Sequence, residues 1–291
     1  MKRLFITIDT EMDADIHWKK KKPIQFSSVL EGIPLFLRPI WDKYGVCPIY
    51  FVSPEVLYND DCCNVLIREI SKGAIIGAHL HPEYIEPDMG EIGSIETESF
   101  PCYKYDYATE KQKIFNLKKL IKEKLAYDVV WYRAARFGAD DETIKILDEL
   151  GFKYDSSYTP YIDWSNKGGP NHSKTSLNAY YFDNLCIKEI PVTIYGKRFG
   201  IFGKFLPNNW LFYRWLRPTH MTLFEEKCLI RNLKELNIEN IVMMFHSMEI
   251  MENKTPYVRN RVMQKYYLWR LEQTIKFAIA NGYVSYKAED E

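Results

Sequence analysis

Short apolar runs alternate with longer stretches of helical period along this chain. Residues 4–8 are apolar and largely β-branched, break at Asp9, and read as a buried parallel strand. Ser27-Ser28 can cap a helix that runs to about Tyr44 and stops at Gly45, with Pro34 and Pro39 interrupting its pattern. A strand over 46–52 follows, then a helix from Asp60-Asp61 to about Ser71, and after Lys72-Gly73 a strand that carries His79 and His81. Residues 82–107 lack a period and read as a long loop. A basic amphipathic helix over 110–125, a short strand over 129–132, and a helix opened by Asp140-Asp141-Glu142 and closed by Gly151 come next. Phe152-Lys153-Tyr154 then leads to Asp155-Ser156-Ser157. From 158 to 222 aromatic residues, Gly, Pro and Asn dominate, apart from a predicted strand over 186–192. A helix over 223–236, a strand over 241–245 ending on His246, a helix over 257–281 and a strand over 283–286 complete the order. Strands alternating with helices imply parallel pairing and right-handed crossovers, hence an α/β fold.

Composition narrows the picture. A chain of 291 residues, 46% of them hydrophobic, is predicted to form one large domain spanning 1–291, a size natural for an α/β barrel, with 158–222 as an aromatic-rich insertion or lid. Lys plus Arg equals Asp plus Glu at 39 each, which gives no reason to expect a nucleic-acid or anionic-membrane partner. The run Lys19-Lys20-Lys21-Lys22 reads as a solvated loop. The six cysteines include an adjacent pair and no C-x-x-C spacing, so neither a zinc ribbon nor a disulfide framework is indicated and the thiols are expected to be reduced. The apolar run after Met1-Lys2-Arg3 is too short for a secretory signal, and no run approaches the roughly 18 apolar residues of a membrane span. A cytoplasmic location is the expectation; oligomeric state stays open.

The candidate chemistry sits where strands end. His79 and His81 lie two apart, so on a strand they project from one face, and Pro82 then stops the ladder. Asp9 and Glu11 repeat that geometry with carboxylates, while Asp13 and Asp15 read as loop residues in water. Arg133, Asp155 and His246 also follow predicted strands at their C-terminal ends, and in a parallel barrel all those ends meet on one face. A carboxylate and two imidazoles leave open positions on a divalent ion such as Zn²⁺, which acidifies water and polarises a carbonyl. Amide cleavage further needs a base for the water and an acid for the leaving nitrogen, roles for a carboxylate and a histidine. Trp164, Trp210, Phe212, Tyr213 and Trp215 offer either faces for a sugar ring or, for most of them, packing of a cover over the barrel.

These residues resemble the polysaccharide deacetylases, carbohydrate esterase family four, nearly end to end. Ile6-Thr7-Ile8-Asp9, Ile76-Gly77-Ala78-His79-Leu80-His81-Pro82, Tyr132-Arg133-Ala134-Ala135-Arg136-Phe137-Gly138, Tyr154-Asp155-Ser156-Ser157 and Phe245-His246-Ser247 are each similar to one family motif. The resemblance implies a distorted (β/α) barrel of seven or eight mostly parallel strands that removes acyl groups from sugars. It implies Asp9 as base, Arg133 as its orienting partner and His246 as general acid. Glu11, His79 and His81 are the expected metal ligands, zinc being the leading ion, and Arg136, Asp155 and Trp164 the expected substrate contacts. Two departures stand out: Thr10 replaces the family's usual second aspartate, and the histidines are two apart instead of four. Glu11 can supply the missing ligand, and either Asp9 or Glu11 can be ligand or base. The expected substrate is an acetylated sugar, a polysaccharide or glycolipid precursor. A non-sugar amide or ureide, or a glycan-binding pseudoenzyme without turnover, are the alternatives.

Overall fold

The computed structural model describes residues 1–20, 22–92, 105–197 and 212–288. The first apolar run forms β1 (Arg3–Thr10), flanked in the sheet by β2 (Ile49–Val52) and by a late strand, β10 (Asn240–His246). Beyond β2 come β3 (Ile75–Leu80), β4 (Trp131–Ala134), β5 (Tyr154–Asp155) and β7 (Lys188–Glu189), all parallel. β6 (Tyr180–Tyr181) runs antiparallel on the β7 edge, and β11 (Val284–Ser285) pairs with the first residues of β1. A separate hairpin joins β8 (Ile194–Lys197) to β9 (Phe212–Trp215). The sheet curls as a distorted (β/α) barrel, mostly parallel as the sequence implies.

Where a regular barrel would place another strand beside β10, single residues close the wall. Thr193 N–H donates to Val242 O (3.4 Å) and its hydroxyl accepts from Val242 N–H (2.8 Å). Leu216 N–H donates to Thr193 O (2.9 Å), and Met244 N–H to Leu216 O (3.2 Å).

Helices cover the outside. β1 is followed by a wide, π-type stretch, Ser28–Leu37, that continues as α1 (Arg38–Tyr44). Pro34, which cannot donate a ladder hydrogen bond, lies inside the widened part, so the helical path continues through it. Gly45, at φ 62°, ends α1 in the left-handed conformation that glycine adopts without strain. Then come α2 (Pro54–Leu57), α3 (Asp60–Ser71), α4 (Tyr107–Leu125), α5 (Asp141–Glu149), α6 (Leu223–Glu235) and α7 (Arg261–Ala280). α7 starts later than its apolar pattern suggests, because Asn260 caps it by accepting from Met263 N–H at 2.9 Å. The strand expected over 186–192 forms a ladder only at Lys188–Glu189. Residues 93–104 of the loop expected over 82–107 lie outside the described residues.

The period of two sorts the strands into two cores. Leu4, Ile6 and Ile8 of β1, Tyr50 and Val52 of β2, Ile76 and Ala78 of β3, and Tyr132 of β4 face the helices. Phe5, Ile49, Phe51, Ile75, Trp131, Ile190 and Val242 fill the barrel. Gly77 is required here: a Cβ on it would stand 2.4 Å from the Phe51 ring. That ring in turn lies under the Arg133 guanidinium, 4.2 Å from its centroid. Among the described residues no helix is long and apolar enough to cross a membrane.

Candidate metal centre

The inward stripe that starts at Phe5 continues through Thr7 and Asp9, and at the end of β1 it delivers Glu11. On β3 the same stripe, after Gly77, delivers His79 and then His81. Ligand atoms of Glu11, His79 and His81 all lie within 4.8 Å of one another, and all three residues are buried. Glu11 Oε1 is 3.4 Å from His79 Nε2 and 3.3 Å from His81 Nε2. Ligands bonded at about 2.0–2.1 Å around a tetrahedral cation stand about 3.3–3.4 Å apart, so each histidine nitrogen stands from the Glu11 oxygen at the spacing of two ligands in such a shell.

The protons are arranged to suit a cation. His79 Nδ1 meets Arg133 O at 3.0 Å; a carbonyl only accepts, so Nδ1 carries a hydrogen and Nε2 is the nitrogen turned inward to Glu11. His81 Nδ1 is engaged by Glu83 Oε1 at 3.3 Å. His81 Nε2 is buried without a hydrogen-bond partner, since its 3.3 Å approach to Glu11 lacks the alignment for one. Burial alone would lower the His81 pKa, yet the Glu11 and Glu83 carboxylates push it up to about 10. Burial would likewise raise Glu11, but Lys20 and then His81 hold it well below the usual carboxylate range. Lys20 Nζ sits 2.8 Å from the other oxygen, Oε2. A buried anion with two imidazole nitrogens turned toward it, where one imidazole is drawn to protonate, is a donor set that fits a divalent cation once the proton is given up.

Asp9 lies beside this triad. Arg133, fully buried, donates from Nη1 to Asp9 Oδ1 at 2.7 Å and to Thr7 Oγ1 at 3.1 Å, and from Nε to Ser156 O at 2.8 Å. Burial would raise the Asp9 pKa, but Arg133, then His79 and His246, bring it below its ordinary value. His246, the register partner of Asp9 on β10, has Nε2 3.8 Å from Glu11 Oε1. Its Nδ1 lies 3.1 Å from Glu249 Oε1, and burial of that carboxylate is outweighed by Arg217 and His246, which hold it far below the usual range.

A cavity of about 610 Å³ opens over these groups, lined by Asp9, Glu11, His79, His81 and His246 on its floor, and by Arg136 and Trp164 among others. The sequence expectation for Asp155 fails here. Asp155 is the register partner of Tyr132, whose side chain faces the helices, so it lies inside the wall and does not line the cavity. Its carboxylate accepts from Ser157 Oγ at 2.6 Å, and burial holds both Asp155 and its register neighbour Glu189 in the protonated direction. The adjacent Ser156 faces inward and braces Arg133. Thr10 also faces outward, its hydroxyl donating to Ile8 O at 3.0 Å, and takes no part in the centre.

Of the aromatic residues after 157, Trp164 is pinned at the cavity by its Nε1–H donating to Thr159 Oγ1 at 2.9 Å. Tyr213 stacks on Tyr161, and Trp215 packs on Phe137, as a cover would. Trp210 lies outside the described residues. Sequence reasoning missed Glu83, Glu249, Arg217 and Lys20. The two glutamates had a readable signal, since an acid follows His81 by two residues and His246 by three.

No family model and no curated protein sequence matches the chain. Solved structures do. A protein provisionally assigned as a polysaccharide deacetylase from Mycobacterium smegmatis is 17% identical with a TM-score of 0.52, over 98% of this chain and 87% of that one. A family 4 acetyl xylan esterase from Clostridium thermocellum, in complex with a cobalt ion, is 12% identical with a TM-score of 0.50, over 99% of this chain and 89% of that one. At these identities the likeness is one of fold, and this chain has the fold of the polysaccharide deacetylases.

Proposed function

We propose that this protein is a metal-dependent hydrolase that removes an acetyl group from the nitrogen of a sugar. The observation that carries the reading is the Glu11, His79 and His81 triad, with Asp9 and His246 lining the same cavity. A divalent ion held by those three residues, zinc foremost, supplies Lewis-acid polarisation of an acyl carbonyl and acidifies water.

The remaining roles fall to the chain's own side chains. Asp9, kept ionised and oriented by Arg133, accepts the proton of the attacking water. His246, oriented through Nδ1 by Glu249, gives the proton at Nε2 to the amide nitrogen as the carbon–nitrogen bond breaks. Acetate and a free amine leave. Trp164 offers a fixed aromatic face for the sugar ring, and Arg136 a polar contact at the rim.

One observation favours a second reading, binding of a glycan without turnover: the Lys20 ammonium competes with a metal for Glu11. Purified protein, loaded in turn with zinc, cobalt and nickel, separates the two when acetate release from N-acetylated mono- and oligosaccharides is measured beside a His246→Ala control. Release that depends on metal and on His246 is expected. Failure to bind metal, or glycan binding with no release under any ion, overturns the hydrolase.

A further inference from the structure

We propose that the outer face of α7, built on Val262, Tyr266 and Trp269 and flanked by Arg261 and Lys265, seats the protein on the surface of an anionic lipid bilayer. The inner face of this helix packs on the barrel through Gln264, Tyr267, Leu271, Thr274 and Ile275, all buried. On the opposite side Val262 is 76% exposed, Tyr266 52% and Trp269 47%. Positions i, i+4 and i+7 form one row along a helix, so the three side chains make a stripe about 10 Å long. The Tyr266 and Trp269 rings stack, with centroids 5.8 Å apart and planes at 27°, which holds two large rings together in solvent. Apolar area grouped in this way on a surface marks a contact.

Charge identifies what covers the stripe. From Asn253 to Leu271 the chain holds five cations, Lys254, Arg259, Arg261, Lys265 and Arg270, and no acid. The even balance of charge over the whole chain conceals this local excess. Lys254 is paired with Asp13 at 3.3 Å, and the Arg270 guanidinium lies over the Tyr266 ring, 5.7 Å from its centroid. Arg261 and Lys265 are exposed and, among the described residues, pair with no carboxylate. At 3.6 residues per turn they fall on the flank beside the stripe. Glu272, the next acid, is engaged by Lys43 and Tyr44. Tyrosine and tryptophan rings suit the headgroup layer, where one end is apolar and the other wet, and cations beside them meet lipid phosphates. A second copy of this chain, packed face to face about a two-fold axis, would set the same cations against each other, whereas an anionic bilayer complements them.

The face also starts near the mouth of the cavity. Tyr257, five residues before Val262, lines that cavity, and α7 follows β10, so the helix begins at the end of the barrel where the strands deliver the candidate ligands. A docked protein holds the cavity beside the lipid headgroups. The docking goes beyond the deacetylase reading and does not depend on it.

The test mixes the full chain, with no substrate present, with vesicles of phosphatidylcholine alone or with about one third phosphatidylglycerol, and reads the bound fraction by co-sedimentation. Binding to the anionic vesicles is expected to be at least tenfold tighter than to the neutral ones, and to weaken as salt rises from about 50 to 500 mM. Trp269→Gln and, separately, Arg261→Gln combined with Lys265→Gln should each weaken it about tenfold, while Lys119→Gln, on α4, changes nothing. Trp269→Phe keeps the apolar area and should bind as the unaltered protein does, but with lipids brominated on their acyl chains it should lose part of the fluorescence quenching. No binding, equal binding to both kinds of vesicle, or binding that survives Trp269→Gln and the double variant alike overturns the proposal. So does a dimer that Trp269→Gln dissolves in a protein that ignores vesicles, which gives the face to a second copy. Acetate release enters none of these measurements, so this inference and the deacetylase reading fail separately.

Discussion

Glu249 Oε1 accepts from the backbone N–H of His246 at 2.8 Å and meets the Nδ1 of the same residue at 3.1 Å. One oxygen thus fixes both the main chain and the ring of the proposed acid. It is itself anchored by Arg217, and the other carboxylate oxygen accepts from Thr219 Oγ1 at 2.7 Å. The arrangement leaves Nε2 as the nitrogen that faces the cavity, with its orientation set by a carboxylate that stays ionised at any working pH.

Glu249→Gln should therefore lower kcat by about 10²-fold or more, the scale of a disturbed acid–base group. Zinc content should not change, because Glu249 touches none of the three ligands. Metal analysis beside steady-state kinetics checks both halves; a loss of zinc together with rate would mean that the carboxylate supports the ion site instead.

Metal removal tests the triad without any substrate. Zinc at a hundredfold excess over its Kd should stabilise the native protein by about 2.7 kcal/mol, seen as a rise in Tm that a chelator reverses. His81→Ala and Glu11→Gln should each abolish most of that rise. A Tm indifferent to zinc in the unaltered protein would refute the assignment of Glu11, His79 and His81.

Thr10 offers a sharper contrast. Its side chain faces out of the barrel, so Thr10→Asp should not tighten zinc binding. The introduced carboxylate would be buried at a fully covered position, so the variant should lose about 2 kcal/mol or more of stability. Improved zinc affinity in this variant, measured by competition with a chelator, would contradict the outward placement.

Stability should fall as pH rises from about 4.5 to about 7. Burial pushes Glu110 and Glu226 up to about 7, and Thr143 and Thr274 hydroxyls bond to them at 2.8 and 2.6 Å. A group whose native pKa lies above its unfolded value keeps its proton in the native state while the unfolded chain gives it up. The loss begins at the unfolded pKa, grows through the native one, and levels off at about 3 kcal/mol per group or less. Asp155 and Glu189, shifted in the same direction, add to it. Glu110→Gln and Glu226→Gln should flatten denaturant-derived stability between pH 5 and 8; an unchanged slope in both would show that these carboxyls do not carry it.

Much of the fold and half of the centre were legible in the sequence, because period two on strands is a strong constraint. It places Asp9 with Glu11 and His79 with His81 on shared faces, and the strand ends bring Arg133 and His246 to them. Asp155 misled for the same reason that Asp9 did not: a two-residue strand gives too few positions to tell the inward face from the outward one. Ser156, one step along, holds the inward place. Lys20 and Arg217 were illegible because each arrives from a segment without period, and only the folded chain brings Lys20 onto Glu11. The π-type turn around Pro34 shows the opposite limit, a local breaker absorbed by the surrounding helix.

β1 and β10 share an unbroken ladder from Arg3 opposite Asn240 to Asp9 opposite His246, whereas among the described residues the far edge of β10 is stitched through Thr193 and Leu216. The proposed proton donor is thereby locked to the strand that leads to Glu11, and the irregular pairing falls on the other side of β10. Insertions in the hairpin beyond Thr193 leave that lock undisturbed, so under the proposed function selectivity for the bearer of the acyl group is open to drift while the pairing of Asp9 with His246 stays put.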